Sequence, residues 1–198
     1  MKKNSHKIIQ IAMLLFFVSV ITISCKKDTT TTTPTVYTAL GEDYQGGIVF
    51  YILQPGDLGY NASVQHGLIA AQNDQTTING ILWAPSNSNV LIGSFSTEIG
   101  KGNANTNAIV AIHGDGSYAA KLCSDLVFNG YSDWYLPSKE ELRKILSSQY
   151  LGHFSTATHY WSSSEYDISK VWTQTYVSGQ QSEYFKNSAC FVRAIRSF

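Results

Sequence analysis

Charge is scarce in this chain, and what there is cancels: Asp, Glu, Lys and Arg make up 14% of the 198 residues, 14 basic against 14 acidic. No strongly basic stripe is present for a phosphate backbone to meet, which sets nucleic acid aside as a partner. Catalytic signatures are missing as well. Ser162-Ser163-Ser164 lies near His159, but no Gly-x-Ser-x-Gly elbow surrounds it. His66, His113, His153 and His159 lack the spacing of zinc ligands, and His113-Gly114-Asp115-Gly116 lacks the ligand series of a calcium loop. Neither a catalytic residue, a metal site nor a cofactor is therefore expected. Cysteines number three, and a long apolar run occurs once, at the N-terminus.

That run sets the organisation of the chain. Lys2, Lys3 and Lys7 precede an apolar stretch from Ile8 to Ile23, and Thr22-Ile23-Ser24 leads directly to Cys25. A cationic region, a short apolar core and a small residue before the break are the parts of an export signal, here residues 1–24. Its removal takes away three lysines, leaving 11 basic against 14 acidic side chains. Residues 25–40 contain the Thr29–Thr33 run and Pro34, with too little apolar surface to offset ordering entropy, and read as a flexible tether. Residues 41–198 are long enough to bury one sizeable core.

Within that domain, hydrophobic patterning predicts strands at Ile48–Leu53, Gly67–Ala71, Tyr160–Tyr166, Lys170–Val177 and Ala189–Ser197. Two helices are predicted, one over Ser117–Phe128 and one opening at Pro137-Ser138, where Ser138 and Glu141 have capping-box spacing. The Asn-, Thr- and Gly-rich stretch 72–110 reads as loop. Cys123 falls on the apolar helix face and Cys190 on the inward side of a strand, so in an exported protein a Cys123–Cys190 disulfide is the first expectation and two buried thiols the alternative. Asp133 is expected to cap a turn or to pair with Arg193 or Arg196.

Three segments resemble a known family. Gly130-Tyr-Ser-Asp-Trp-Tyr-Leu-Pro-Ser-Lys-Glu-Glu-Leu142, Tyr160-Trp-Ser-Ser-Ser-Glu-Tyr166 and Phe191-Val-Arg-Ala-Ile-Arg-Ser-Phe198, with Ile99–Val110 upstream, are similar to the DUF1566 family, the domain at the C-terminus of the Legionella collagen-like adhesin. Thr22–Cys25 resembles a bacterial lipobox, which implies a diacylglycerol on Cys25 and an outer-membrane, lipid-anchored location in the envelope of a Gram-negative cell. The family resemblance implies an α+β, C-type lectin-like domain with two helices and a twisted antiparallel sheet. It also implies a non-catalytic, adhesin-like binding module for a carbohydrate or protein ligand, with a structural envelope component as the alternative and a homo-oligomer left open. The variable surface of related proteins maps between Trp161 and Arg193. Rigid aromatics and adaptable amides in that span make Trp161, Tyr166, Trp172, Gln174, Tyr176, Gln181, Tyr184, Lys186, Asn187 and Arg193 the candidate ligand-binding residues.

Overall fold

A computed structural model describes residues 37–198 apart from 77, 87, 89, 157 and 158, so the expected signal segment, Cys25 and most of the tether lie outside the described residues. In chain order the elements are β1 (Asp43–Tyr44), β2 (Gly47–Ile52), β3 (Gly67–Ala70), β4 (Ile81–Leu82), α1 (Gly102–His113), α2 (Ala119–Ser124), α3 (Lys139–Leu146), β5 (His159–Glu165), β6 (Lys170–Thr175), β7 (Gln181–Phe185), β8 (Ala189–Cys190) and β9 (Ile195–Ser197). They make an α+β fold with three antiparallel sheets, ordered β1-β2-β3-β9, β5-β6-β7 and β4-β8. The first turn is tight because Gln45 and Gly46 both take positive φ, 44° and 94°, the pair of left-handed residues that a two-residue hairpin requires. The last strand, β9, returns to pair with β3, and Tyr44 meets Phe198 edge to face at 5.1 Å. Both ends of the domain are thus held in one sheet.

Two tryptophans tie the sheets together reciprocally. Trp83 and Trp161 are fully buried. The indole N–H of Trp83 donates to the Ser162 carbonyl at 2.9 Å, and that of Trp161 to the Ile81 carbonyl at 2.8 Å. Each ring therefore satisfies its own donor on the other's segment, as a buried indole must.

The helices show where patterning suffices and where it does not. α3 carries the expected capping box: Glu141 N–H donates to Ser138 Oγ, and Glu141 Oε2 accepts from Ser138 N–H at 2.7 Å. Leu142, Ile145 and Leu146 form its buried stripe, and it ends at Leu146. α2 is shorter than the predicted span; it buries Ala119, Ala120 and Cys123, while Leu122 and Leu126 are only partly buried. α1 overturns the loop reading of 72–110. Its buried stripe is Gly102, Asn105, Thr106 and Ile109, spaced for one helical face yet half polar, so hydrophobic periodicity does not register it. Those polar groups are satisfied inside: Asn105 Nδ2 donates to the Ser96 carbonyl at 2.7 Å, and Thr106 Oγ1 accepts from Leu136 N–H at 3.0 Å.

The remaining differences are local. The Ala189–Ser197 run is two short strands, β8 and β9, and β7 was missed because Gln181-Ser182-Glu183 shows no apolar alternation. Cys123 and Cys190 lie in one core cluster as buried free thiols, not joined to each other, which corrects the disulfide expectation. Burial raises both thiol pKa values far above the ordinary range, leaving them as small apolar fillers.

Candidate functional site

Four of the ten candidate ligand residues are structural. Trp161 and Arg193 are 0% exposed, Gln174 2% and Lys186 4%. Arg193 is surrounded by acceptors: its guanidinium donates to Asp74 Oδ1 at 2.8 Å and to the carbonyls of Ala71, Gln72, Gly152 and His153. Asp74 also accepts from Tyr160 Oη at 2.6 Å. Arg196 forks onto both oxygens of Asp133 at 2.6 and 2.8 Å. Arg193 was a ligand candidate, and Arg196 an expected partner of Asp133. Both are consumed in pinning loops, and the bidentate pair holds the Asp133 carboxyl below its usual range.

Lys186 makes the third such peg. Its ammonium lies 2.5 Å from Glu165 Oε1 and donates to the Val90 carbonyl at 3.0 Å. The Glu165 carboxylate, 0% exposed, also accepts the N–H groups of Ile92, Gly93 and Ser94 at 2.7 to 3.1 Å. One buried carboxylate thus gathers three consecutive amides and a cation, and the segment from Val90 to Phe95 is drawn alongside the end of β5. Glu165 N–H completes the attachment by donating to the Ser94 carbonyl at 2.9 Å.

The serine run supports the same junction. β5 changes register between Trp161 and Glu165, and in this bulge Ser162 Oγ donates to the Trp172 carbonyl and Ser164 Oγ to the Ser96 carbonyl, each at 2.7 Å. Ser163 N–H donates to the Pro137 carbonyl at 2.7 Å. His159 contacts Thr173 Oγ1 at 3.2 Å rather than a serine. The three serines join β6, the segment before α1 and the start of α3.

What this framework displays is apolar. Val90, Leu91, Phe95, Tyr166, Ile168 and Phe185 are each 45 to 55% exposed, and Tyr166 lies beside the half-buried Trp172. Tyr166 meets Trp172 edge to face at 5.3 Å, and Lys139 Nζ sits 3.4 Å over the Trp172 ring. Lys170 Nζ lies 5.4 Å over Phe185. A small groove of about 230 Å³ opens beside Phe185, bounded by Ser88, Ser169 and Asn187.

Register sorts the other candidates. Trp172 pairs with Glu183, Gln174 with Gln181, and Val171 with Tyr184, so Tyr184 points to the face opposite Trp172 and Gln181. There it stacks on His159 at 4.5 Å. Tyr176 packs on Phe154 at 4.8 Å, against the second core cluster. Of the ten residues the structure brings together Tyr166, Trp172 and Gln181, with Asn187 at the adjoining groove. Sequence reasoning missed Val90, Leu91, Phe95, Ile168 and Phe185. Their signal was present only as apolar residues in loop-forming surroundings. Of the four cations in the C-terminal segment, Lys186, Arg193 and Arg196 are buried in ion pairs, which leaves Lys170 with Lys139 as the cations of this surface.

Comparison with known proteins adds a family match and a distant structural likeness. The model of the Lcl C-terminal domain matches residues 72–196. No curated protein matches the chain. Among solved structures, a fimbrial protein from Bacteroides ovatus is similar at 17% identity with a TM-score of 0.49, over 76% of this chain and 43% of that one. The chain thus corresponds to less than half of that protein's structure.

Proposed function

The chain belongs to the Lcl C-terminal domain family, and from that membership we propose that it is a surface, adhesin-like recognition module, lipid-anchored through Cys25 and lectin-like in presenting a rigid loop-built face. Its ligand is a carbohydrate or a protein, and binding involves no bond-making chemistry. The observation that carries the reading is the exposure of Val90, Leu91 and Phe95 on the segment fastened by the buried Glu165–Lys186 pair, together with exposed Tyr166 against Trp172. Exposed apolar patches of this kind mark interaction surfaces. Tyr166, Trp172 and Phe185 supply rigid contact area with little rotamer entropy to lose, while Gln181, Asn187 and Ser169 supply adaptable hydrogen bonds. Cation-dependent capture of polyanions has weaker support, because three of the four C-terminal cations are buried.

The test is a screen of the lipidated protein against glycan arrays and matrix proteins, with Phe95→Ser/Tyr166→Ser as the site variant and Val177→Ser as an exposed control. Saturable binding that survives in the control and disappears in the site variant, with the fold intact by circular dichroism, supports the assignment. Equal binding by both variants removes this face from the function.

A further inference from the structure

A second exposed face, aromatic and apolar residues mixed with uncharged polar ones, lies where the described chain begins. Tyr37, the first residue described, lines a groove of about 210 Å³ with Ile52, Leu53, Tyr60 and Val64 and with the polar Asn61, Ser63, Gln65 and His66, and no Asp, Glu, Lys or Arg borders it. Tyr37 is 73% exposed, Tyr60 40% and Val64 47%, and Leu58, in the turn that carries Tyr60, is 54% exposed. The groove is fastened rather than loose. Thr38 N–H donates to Gln65 Oε1 at 2.7 Å, Leu53 N–H to the His66 carbonyl at 2.9 Å, and Tyr60 N–H to the Asp57 carbonyl at 3.1 Å. The recognition surface uses none of these residues, and nothing in the proposed ligand binding requires them.

We infer that this face docks on the bilayer that holds the anchor, so that the domain rests on the membrane surface instead of being carried free at the end of its tether. The inference rests on the lipid-anchor reading of Cys25. Tyr37 lies twelve positions after Cys25. Such a chain has a root-mean-square span of roughly 20 Å and a fully extended reach of about 40 Å. An anchored face at that distance meets the bilayer at an effective concentration on the order of millimolar, so a contact too weak to matter in solution is populated. Its composition suits the headgroup region. Tyrosines place an apolar ring and a polar tip at the interface, Val64 and Leu58 add apolar surface, and Asn61, Ser63 and Gln65 are uncharged polar groups that the hydrated headgroup region can still hydrogen-bond. A protein partner would meet the same residues. The bilayer is the occupant favoured here because the chain itself delivers this face to it.

The experiment uses the full protein, processed in cells and reconstituted in phosphatidylethanolamine–phosphatidylglycerol vesicles, with Val64→Cys or Val177→Cys labelled by a thiol-reactive fluorophore. Cys123 and Cys190 are buried and stay unlabelled in the native protein. Docking predicts that the probe at 64 is quenched by spin-labelled lipid and is several-fold less accessible to aqueous iodide than the probe at 177. It also predicts that Tyr37→Ser/Tyr60→Ser, added to Val64→Cys, restores iodide access. Mass spectrometry of the N-terminus reports separately on the anchor. An acylated protein whose two probes are equally open to iodide overturns the docking and leaves the anchor standing. An N-terminus without lipid overturns both.

Discussion

Loss of the Lys186 charge should loosen the recognition loop before it unfolds the domain. Lys186→Met keeps an aliphatic side chain and deletes the ammonium, which lies 2.5 Å from Glu165 and 4.9 Å over the Trp83 ring. Removing one partner of a buried ion pair typically costs about 3–5 kcal/mol, because the other charge remains without its counterion. Glu165 still accepts three amide N–H groups, which places the expected cost near the lower end, about 3 kcal/mol, and lowers the midpoint of thermal unfolding by roughly 6–12 °C for a domain of this size. Glu165→Gln discharges the carboxylate on which Ile92, Gly93 and Ser94 converge and turns one of its two acceptor oxygens into a donor, so those amides should exchange with deuterium faster while the strands of the β1-β2-β3-β9 sheet keep their protection. The double variant Glu165→Gln/Lys186→Met should cost at least about 1 kcal/mol less than the sum of the singles, since the second change removes a charge that the first left stranded. Chemical denaturation and amide exchange read both quantities. A Lys186→Met cost under about 1 kcal/mol with unchanged exchange at 92–94 would refute the claim that this pair builds the loop.

Other expectations follow from the same contacts. Gly102→Ala places a methyl 2.2 Å from Glu141 Oε2 and 2.8 Å from Ser138 N, so it should destabilise by about 1–3 kcal/mol in urea titrations. An unchanged midpoint would mean that the junction of α1 with α3 is loosely packed. Arg193→Met strands Asp74 and four carbonyls, and should cost about 3–5 kcal/mol or prevent accumulation of folded protein. Arg193→Lys cannot reproduce the fork and should recover only part of that loss. Burial pushes the Glu141 carboxyl up to about 7 from 4.5, against amide donors that hold it down. The folded state then binds this proton more readily than the unfolded chain, so the contribution is complete below pH 4.5 and is lost as pH rises through 7, about 3 kcal/mol in all. His113 and His159, whose pKa values burial lowers, slope the opposite way, so the measurement is the difference in stability between the native protein and Glu141→Gln across pH 5 to 8. A difference that does not change over that range would sink the assignment.

Resolution between local and tertiary causes is clearest in particular residues. Ser138 and Glu141 can cap α3 because their spacing is a property of the chain, and the two faces of β2 and β3 follow from runs of β-branched and apolar residues. The α+β class and the burial of Trp134, Cys123 and Cys190 could therefore be read from the amino-acid order. α1 could not, since a buried stripe of Asn105 and Thr106 looks polar until Ser96 and Leu136 arrive to satisfy it. Nor could the binding surface. Local pattern treats Lys186 and Arg193 as open cations and Trp172 and Tyr184 as neighbours. Whether a cation is open depends on a carboxylate 21 residues away for Lys186 and 119 for Arg193, and whether two aromatics share a face depends on the register of β6 against β7. Those are long-range pairings, fixed only when the sheets close, and they decided which residues became pegs and which were left facing solvent.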